Sequence, residues 1–370
     1  MASETIETSE TIETMTAPGP SLADQYLQLL RRKNLFSLGL LLLLAGAAGI
    51  SLHTGSISLP WREILSALLD WESGGRTAHV IQQIRLPRVT AAILAGASLG
   101  IAGAVMQNVL KNPLASPFTI GVSQGAAFGA AFAIIFLGAG QTHSSASSAV
   151  TINLPNLVVL CAFTGALLAV IFILILASLK GVSTEAVILA GVALSAFFGA
   201  ATMLLQYFAD DVQVAASVFW TFGDLGKAGW TENSLIGIVL ILAFAFFLPG
   251  RWQHNALLWG DEVAASLGIK VRHLRITAML FSALTVAVTT AFLGIIGFVG
   301  LMAPHLARMF VGNDYRYLLV SSALTGALLL LVSDIVSRIL MPPIILPVGI
   351  ITSFAGAPLF LYLLTRKRKN

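Results

Sequence analysis

Few ionisable side chains interrupt this 370-residue chain, and where they fall sets the chemistry it can do. Asp334 is the only acid well inside an apolar stretch, and Arg338 follows one helical turn later, where an i,i+4 ion pair can neutralise it. Arg85 and Arg88 open a long apolar run, placed to meet lipid phosphates at a membrane interface. Asp261 to Gly268 lies within the longest polar stretch between apolar segments, Arg251 to Arg275. There Asp261 is positioned to cap a short helix over Glu262 to Leu267, and Gly268 to end it in the left-handed conformation. Asn112-Pro113-Leu114 interrupts helix continuity as a turn, and Ser183-Thr184 stand as a cap before another apolar run. Their amide and hydroxyl groups can bond freed backbone or a passing solute.

Catalysis finds no support in the same inventory. No Ser-His-Asp set or paired carboxylates converge, and no catalytic residue is assigned. His53, His79, His143, His254 and His273 lack metal-ligand spacing, and His305 reads as a helix-end hydrogen bonder, so no metal site is expected. A GxxxxGK[ST] phosphate loop is absent; Gly226-Lys227 lacks both the upstream glycine and the following hydroxyl. The lone Cys161 excludes an intramolecular disulfide and reads as a small packing residue.

The elements that must position these groups are apolar. Hydrophobic residues make up 57% of the chain and charged ones 10%, with a mean hydropathy of +0.88, which excludes an ordinary soluble globular domain. Ten helical spans are expected, at 35–53, 89–108, 121–139, 155–178, 186–207, 233–250, 276–293, 296–311, 317–340 and 348–365. The eighth carries Gly297, Gly300 and Pro304 and is expected to be short, tilted or re-entrant. With both termini cytoplasmic, fifteen of the 21 Lys and Arg residues fall inside, among them Arg31, Arg32, Lys33, Lys111, Arg251 and Arg275. The basic pI near 9.4 therefore reflects topology and not nucleic-acid binding. Residues 1–30 read as a polar, disordered cytoplasmic tail, since Ser3–Thr8 is repeated unchanged at Ser9–Thr14, and 31–370 as one transmembrane domain with 251–275 as its cytoplasmic coupling region.

An internal echo points to a repeat-built transporter, because Leu99-Gly-Ile-Ala-Gly-Ala-Val105 is answered by Leu293-Gly-Ile-Ile-Gly-Phe-Val299. Two independent glycine-rich packing faces would give the same pattern. An ion-coupled secondary transporter would also show this hydropathy, though it would place ionisable groups near mid-membrane. A membrane enzyme would need the catalytic residues that are missing.

Ordered motifs narrow the choice. RLPR at Arg85–Arg88, IAGAVMQ at Ile101–Gln107, NPLASP at Asn112–Pro117, GVSQGAA at Gly121–Ala127, LAGVALS at Leu189–Ser195, GDEVAASLG at Gly260–Gly268 and GFVGLMAPHLAR at Gly297–Arg308 together resemble the FecCD-type permeases of ATP-driven (ABC) importers for iron-siderophores, haem and cobalamin. The resemblance spans about residues 35–366. It implies an all-α polytopic membrane protein of about ten helices with internally repeated halves, acting as a homodimer in the bacterial cytoplasmic (inner) membrane. It further implies that Gly260, Asp261, Glu262, Ala264, Leu267 and Gly268 couple to a separate nucleotide-binding ATPase subunit that holds ATP and Mg, with no cofactor in this chain. Arg85, Arg88 and Arg338 would dock a periplasmic or surface-tethered substrate-binding protein, and Asn112, Leu114, Ser183 and Thr184 would narrow the cytoplasmic end of the pathway. An iron-siderophore is the first expected cargo, then haem or cobalamin.

Overall fold

The computed structural model describes residues 21–55, 59–71, 75–139, 154–179 and 184–366. The repeated segment ahead of residue 21, Ser183 and most of the loop expected after the third span lie outside them. The described chain is helical throughout, with α1 (Leu22–His53), α2 (Trp61–Leu69), α3 (Arg76–Val109), α4 (Val122–Phe136), α5 (Pro155–Ser178), α6 (Thr184–Tyr207) and α7 (Asp211–Thr221) in its first half. The second half adds α8 (Trp230–Phe247), α9 (Arg251–Leu257), α10 (Asp261–Ser266), α11 (Val271–Leu293), α12 (Val299–Val311), α13 (Tyr315–Ile339) and α14 (Val348–Arg366). Only isolated bridges, Phe222–Ile295 and Met341–Ile344, depart from helix pairing among the described residues.

Seven of these helices, α1, α3, α5, α6, α8, α11 and α13, are long and apolar enough to cross a bilayer, and α4, α12 and α14 are shorter apolar helices. The ten correspond one for one to the ten expected spans. As anticipated, the eighth is short: the 13 residues of α12 rise only about 20 Å. Its start at Leu22 carries α1 into the stretch assigned to the polar tail.

At the centre stands α3, packed against α13, α11, α12, α8 and α1. Its residues from Ala91 to Val109 are mostly Ala, Gly and Ser, so neighbouring backbones close onto it. A Cβ on Gly96 would lie 2.4 Å from the Gly326 carbonyl oxygen of α13, and one on Gly103 only 1.6 Å from that of Gly300 in α12. No other residue fits at these crossings.

Irregular backbone is confined to places with a local cause. Pro87 has no N–H and its ring would collide with the carbonyl four residues back, so the preceding turn widens into a π-helix over Val80–Arg85. Between α11 and α12 the chain leaves helical geometry through Gly294 (φ 80°) and Phe298 (φ 64°), both left-handed. The echoed motif thus takes two forms: its first copy is straight helix in α3, whereas its second is the broken segment between α11 and α12. The first copy packs against the residue that follows the second, where Gly103 meets Gly300.

Candidate functional site

The polar residues singled out above gather at the two ends of the bundle. At one end stands α10. Gly260 precedes it at φ 119° and Gly268 follows at φ 83°, so glycines set both boundaries. The expected left-handed stop at Gly268 is present, but Asp261 is not the cap: it is the first helical residue, Gly260 holds the cap position, and no side chain caps it. Asp261 instead reaches back to the cytoplasm-assigned end of α3 and α11, forming ion pairs with Lys111 (2.6 Å) and Arg275 (2.9 Å). Burial works to raise its carboxyl pKa, yet hydrogen bonds from Lys111 and Arg275 and their charges outweigh it and hold the group below the usual carboxylate range. Arg275 also donates to the Val109 carbonyl (2.9 Å), the last residue of α3. Ala264 is fully buried on the inner face of α10, while Glu262 and Leu267 face outward. Exposed Trp259, Val263 and Leu267 make an apolar surface on and beside this helix.

One turn past α3 comes the Asn112 segment. The Asn112 side-chain oxygen accepts from the Leu114 N–H (2.8 Å), and its own N–H donates to the Gln107 carbonyl (3.2 Å), which turns the chain sharply ahead of exposed Leu114. The chain then runs to Ile120, which lies against Gly191 of α6, seven residues beyond Thr184 at the start of that helix. Thr184 Oγ1 donates to the Glu185 carboxylate (3.3 Å); Ser183 lies outside the described residues.

At the opposite end an ion cluster ties α1, α3 and α13. Asp334 is fully buried and lies between Arg88 (2.8 Å) and Arg338 (3.1 Å); Arg88 also faces Asp224 (3.3 Å) in the segment between α7 and α8. The last turn of α1 leaves carbonyls without helical donors, and arginines satisfy them: Arg85 donates to Leu52 (2.6 Å) and His53 (3.1 Å), and Arg338 to Ser51 (3.1 Å) and Thr54 (2.8 Å). None of the three arginines assigned to docking therefore stands free on the surface. They line the wall of a cavity of about 410 Å³ that also takes Arg76, an exposed residue sequence reasoning passed over. With Asp224 and Asp334 set against Arg76, Arg85, Arg88 and Arg338, the local balance favours an incoming anion.

A third feature lies between the ends. A cavity of about 570 Å³ opens among α4, α6, α14, the last residue of α7 and the two non-helical segments 222–223 and 295–298. Its walls carry Gln124, Thr202, Gln206 and Ser353 among apolar side chains, with the left-handed Phe298 at one edge. Irregular backbone inside an apolar bundle is tolerated where it lines a cavity. Sequence reasoning had no signal for these positions. Among the described residues no three His, Cys, Asp or Glu side chains come together as a metal site.

Ten apolar helices, with a broken segment between two of them and a short glycine-bounded polar helix at one end of the bundle, are the architecture of a polytopic transport permease. Residues 41–366 match the FecCD transport family, and the chain belongs to it. It is 49% identical over 340 residues to a Methanocaldococcus jannaschii chain assigned as an ABC transporter permease, covering 92% of this chain and 97% of that one. It is also 36% identical to the Fe(3+) dicitrate permease FecD of Escherichia coli K12 (88% and 97% covered) and 36% identical to the hemin permease HmuU of Yersinia pestis (90% and 95%). A solved chain assigned to the metal-chelate type of ABC transporter, in an inward-facing conformation, superimposes with a TM-score of 0.75 at 31% identity, covering 90% of this chain and 99% of that one. The protein is thus the membrane-spanning permease component of an ABC importer in the family that carries iron chelates, haem and vitamin B12.

Proposed function

We propose that this chain carries a ferric chelate, an iron-siderophore before haem or cobalamin, across the cytoplasmic membrane as a homodimer driven by a separate ATPase subunit. The observation that carries the reading is α10. It is a short helix, bounded by two positive-φ glycines, anchored through Asp261 to Lys111 and Arg275, and topped by exposed Val263 and Leu267 beside Trp259. A lever must be rigid toward the bundle and adhesive toward its motor, and this helix is both. The concentration of Lys111, Arg251, Lys270, Arg272 and Arg275 at the same end supports placing α10 and both termini in the cytoplasm.

On that orientation the Arg76, Arg85, Arg88 and Arg338 cavity opens outside and receives an acidic side chain of a substrate-binding protein, and Asn112, Leu114, Ser183 and Thr184 close the inner end of the path. The 570 Å³ cavity supplies part of the path wall, with Gln124, Thr202, Gln206 and Ser353 offering neutral hydrogen-bonding groups to a bulky chelate. ATP and Mg belong to the ATPase, and each conformational step in this chain is a response to its closure. The test is uptake into proteoliposomes containing this chain, its ATPase and its delivery protein, with ferric chelates, haem and cobalamin offered in parallel. ATP-dependent uptake of a ferric chelate is the expected result; uptake that follows an imposed proton or sodium gradient without ATP would overturn it.

A further inference from the structure

His254 is the most deeply buried histidine among the described residues, and neither the site nor the proposed function uses it. It lies in α9, is 1% exposed, and packs its ring flat on the fully buried Tyr315 ring at the start of α13, with centroids 4.4 Å apart. Phe247 meets it edge-on at 6.0 Å. Two reciprocal hydrogen bonds join it to α3: the Asn108 side-chain amide donates to the His254 carbonyl (3.1 Å), and His254 Nδ1 meets Asn108 Oδ1 (2.9 Å). Because the amide nitrogen is committed to the carbonyl, its oxygen faces Nδ1, and the neutral ring carries its proton there.

We infer that His254 is a positioning residue of the coupling apparatus, fixing α9 to Asn108 so that a displacement of α10 is delivered to the cytoplasmic end of α3 and its Asn112 turn. This rests on the reading of α10 as the helix on which the ATPase acts. A single anchor would let α10 pivot, and the Asp261 ion pairs with Lys111 and Arg275 alone amount to one anchor. The His254–Asn108 pair supplies a second, placed on α3 itself one turn before Lys111. A third runs from Asn255, which accepts from the Tyr315 N–H (2.7 Å) and donates to Asp314 (3.1 Å), holding α9 to α13 as well. With α9 fixed at these points and α10 following after a three-residue turn, the unit moves as a body. Leu114 and the inner end of the path follow directly from α3.

The pairing is tested first on the purified chain without any ATPase. In His254→Leu, amide exchange should quicken both at 251–268 and at 106–112, while α5 and α8 keep their protection; unchanged exchange at 106–112 overturns the inference whatever the ATPase does. In the reconstituted complex, His254→Leu should keep ATP hydrolysis but lower uptake per ATP by about tenfold, since the motor then turns without moving α3. His254→Asn, whose side-chain nitrogen can replace Nδ1, should restore it to within about threefold. Adding Asn108→Leu to His254→Leu should lower uptake per ATP further, because the Asn108 amide still holds the residue-254 carbonyl in the single variant; an unchanged value would count against the pair. Full uptake per ATP in His254→Leu overturns the inference. A wild-type complex that binds no ATPase would instead sink the reading of α10 and leave the exchange result to decide whether the pair holds the two segments together.

Discussion

Asp334→Ala is the sharpest perturbation the structure offers. The carboxylate is fully buried, with Arg88 at 2.8 Å and Arg338 at 3.1 Å, and those arginines in turn hold Asp224 and the exposed-carbonyl end of α1. At an effective dielectric of about 20, each contact amounts to roughly 5 kcal/mol of Coulomb attraction, much of which is offset by the cost of removing the charges from water. Deleting the acid leaves both arginines side by side with that cost uncompensated, and breaking a buried pair in this way costs about 3–5 kcal/mol. SDS-driven unfolding in mixed micelles, followed by circular dichroism, measures the loss. The triple variant Asp334→Leu/Arg88→Met/Arg338→Leu should recover most of it, because apolar replacement of a whole buried network is near neutral. A loss below about 1 kcal/mol in Asp334→Ala, or a triple variant no more stable than the single, would show that the cluster is not the clamp described here.

Helix crossings give a second expectation: Gly103→Ala, whose Cβ would fall 1.6 Å from the Gly300 carbonyl, should destabilise by about 3 kcal/mol, whereas Gly46→Ala in α1, with open space around it, should gain up to about 1 kcal/mol by the same unfolding assay. Acid sensitivity gives a third. Burial lowers the His254 pKa to about 4, below its ordinary 6.5, so the unfolded chain binds a proton that the folded one refuses between those values. Its contribution is complete above pH 6.5 and is lost as pH falls toward 4, on the order of 3 kcal/mol in all, and His254→Asn should flatten unfolding free energy across that window. Asp261 acts lower: its depressed pKa makes the α10 anchor complete above pH 4 and weaker as pH falls below it, which faster amide exchange at 261–268 should report. Finally, Arg76→Glu should weaken delivery-protein binding with little change in stability, since Arg76 is exposed at the cavity rim while Arg85, Arg88 and Arg338 are tied inside; surface plasmon resonance and unfolding together separate the two effects.

The ten spans were legible because bilayer-length apolar runs and their glycine breaks are local features, and α12 was readable as short from Gly297, Gly300 and Pro304. The Arg338–Asp334 pair was likewise visible, being four residues apart on one helix. What could not be read was contact across the chain. Asp261 looked like a helix cap because Lys111, its true partner, lies 150 residues earlier. Arg88 looked like a free docking group because Asp334 is 246 residues away. His254 was set aside for want of metal-ligand spacing, and its actual partner Asn108 is 146 residues distant. The echoed motif was readable as a pair, but its second copy is broken by the left-handed Gly294 and Phe298, which periodicity alone does not show. The cavity polar groups, scattered over α4, α6 and α14, have no spacing at all in sequence.

If α10 is the surface on which an ATPase pushes, Val263→Glu/Leu267→Glu should break that contact. Both side chains point outward, so unlike changes at Asp261 these leave the anchors to Lys111 and Arg275 in place. Co-purification with the ATPase subunit and delivery-protein-stimulated ATP hydrolysis are the readouts. The intact chain should bind the subunit and show stimulated hydrolysis, and the double variant, with an unchanged unfolding curve, should do neither. A double variant that still assembles and responds to the delivery protein would contradict the reading of α10.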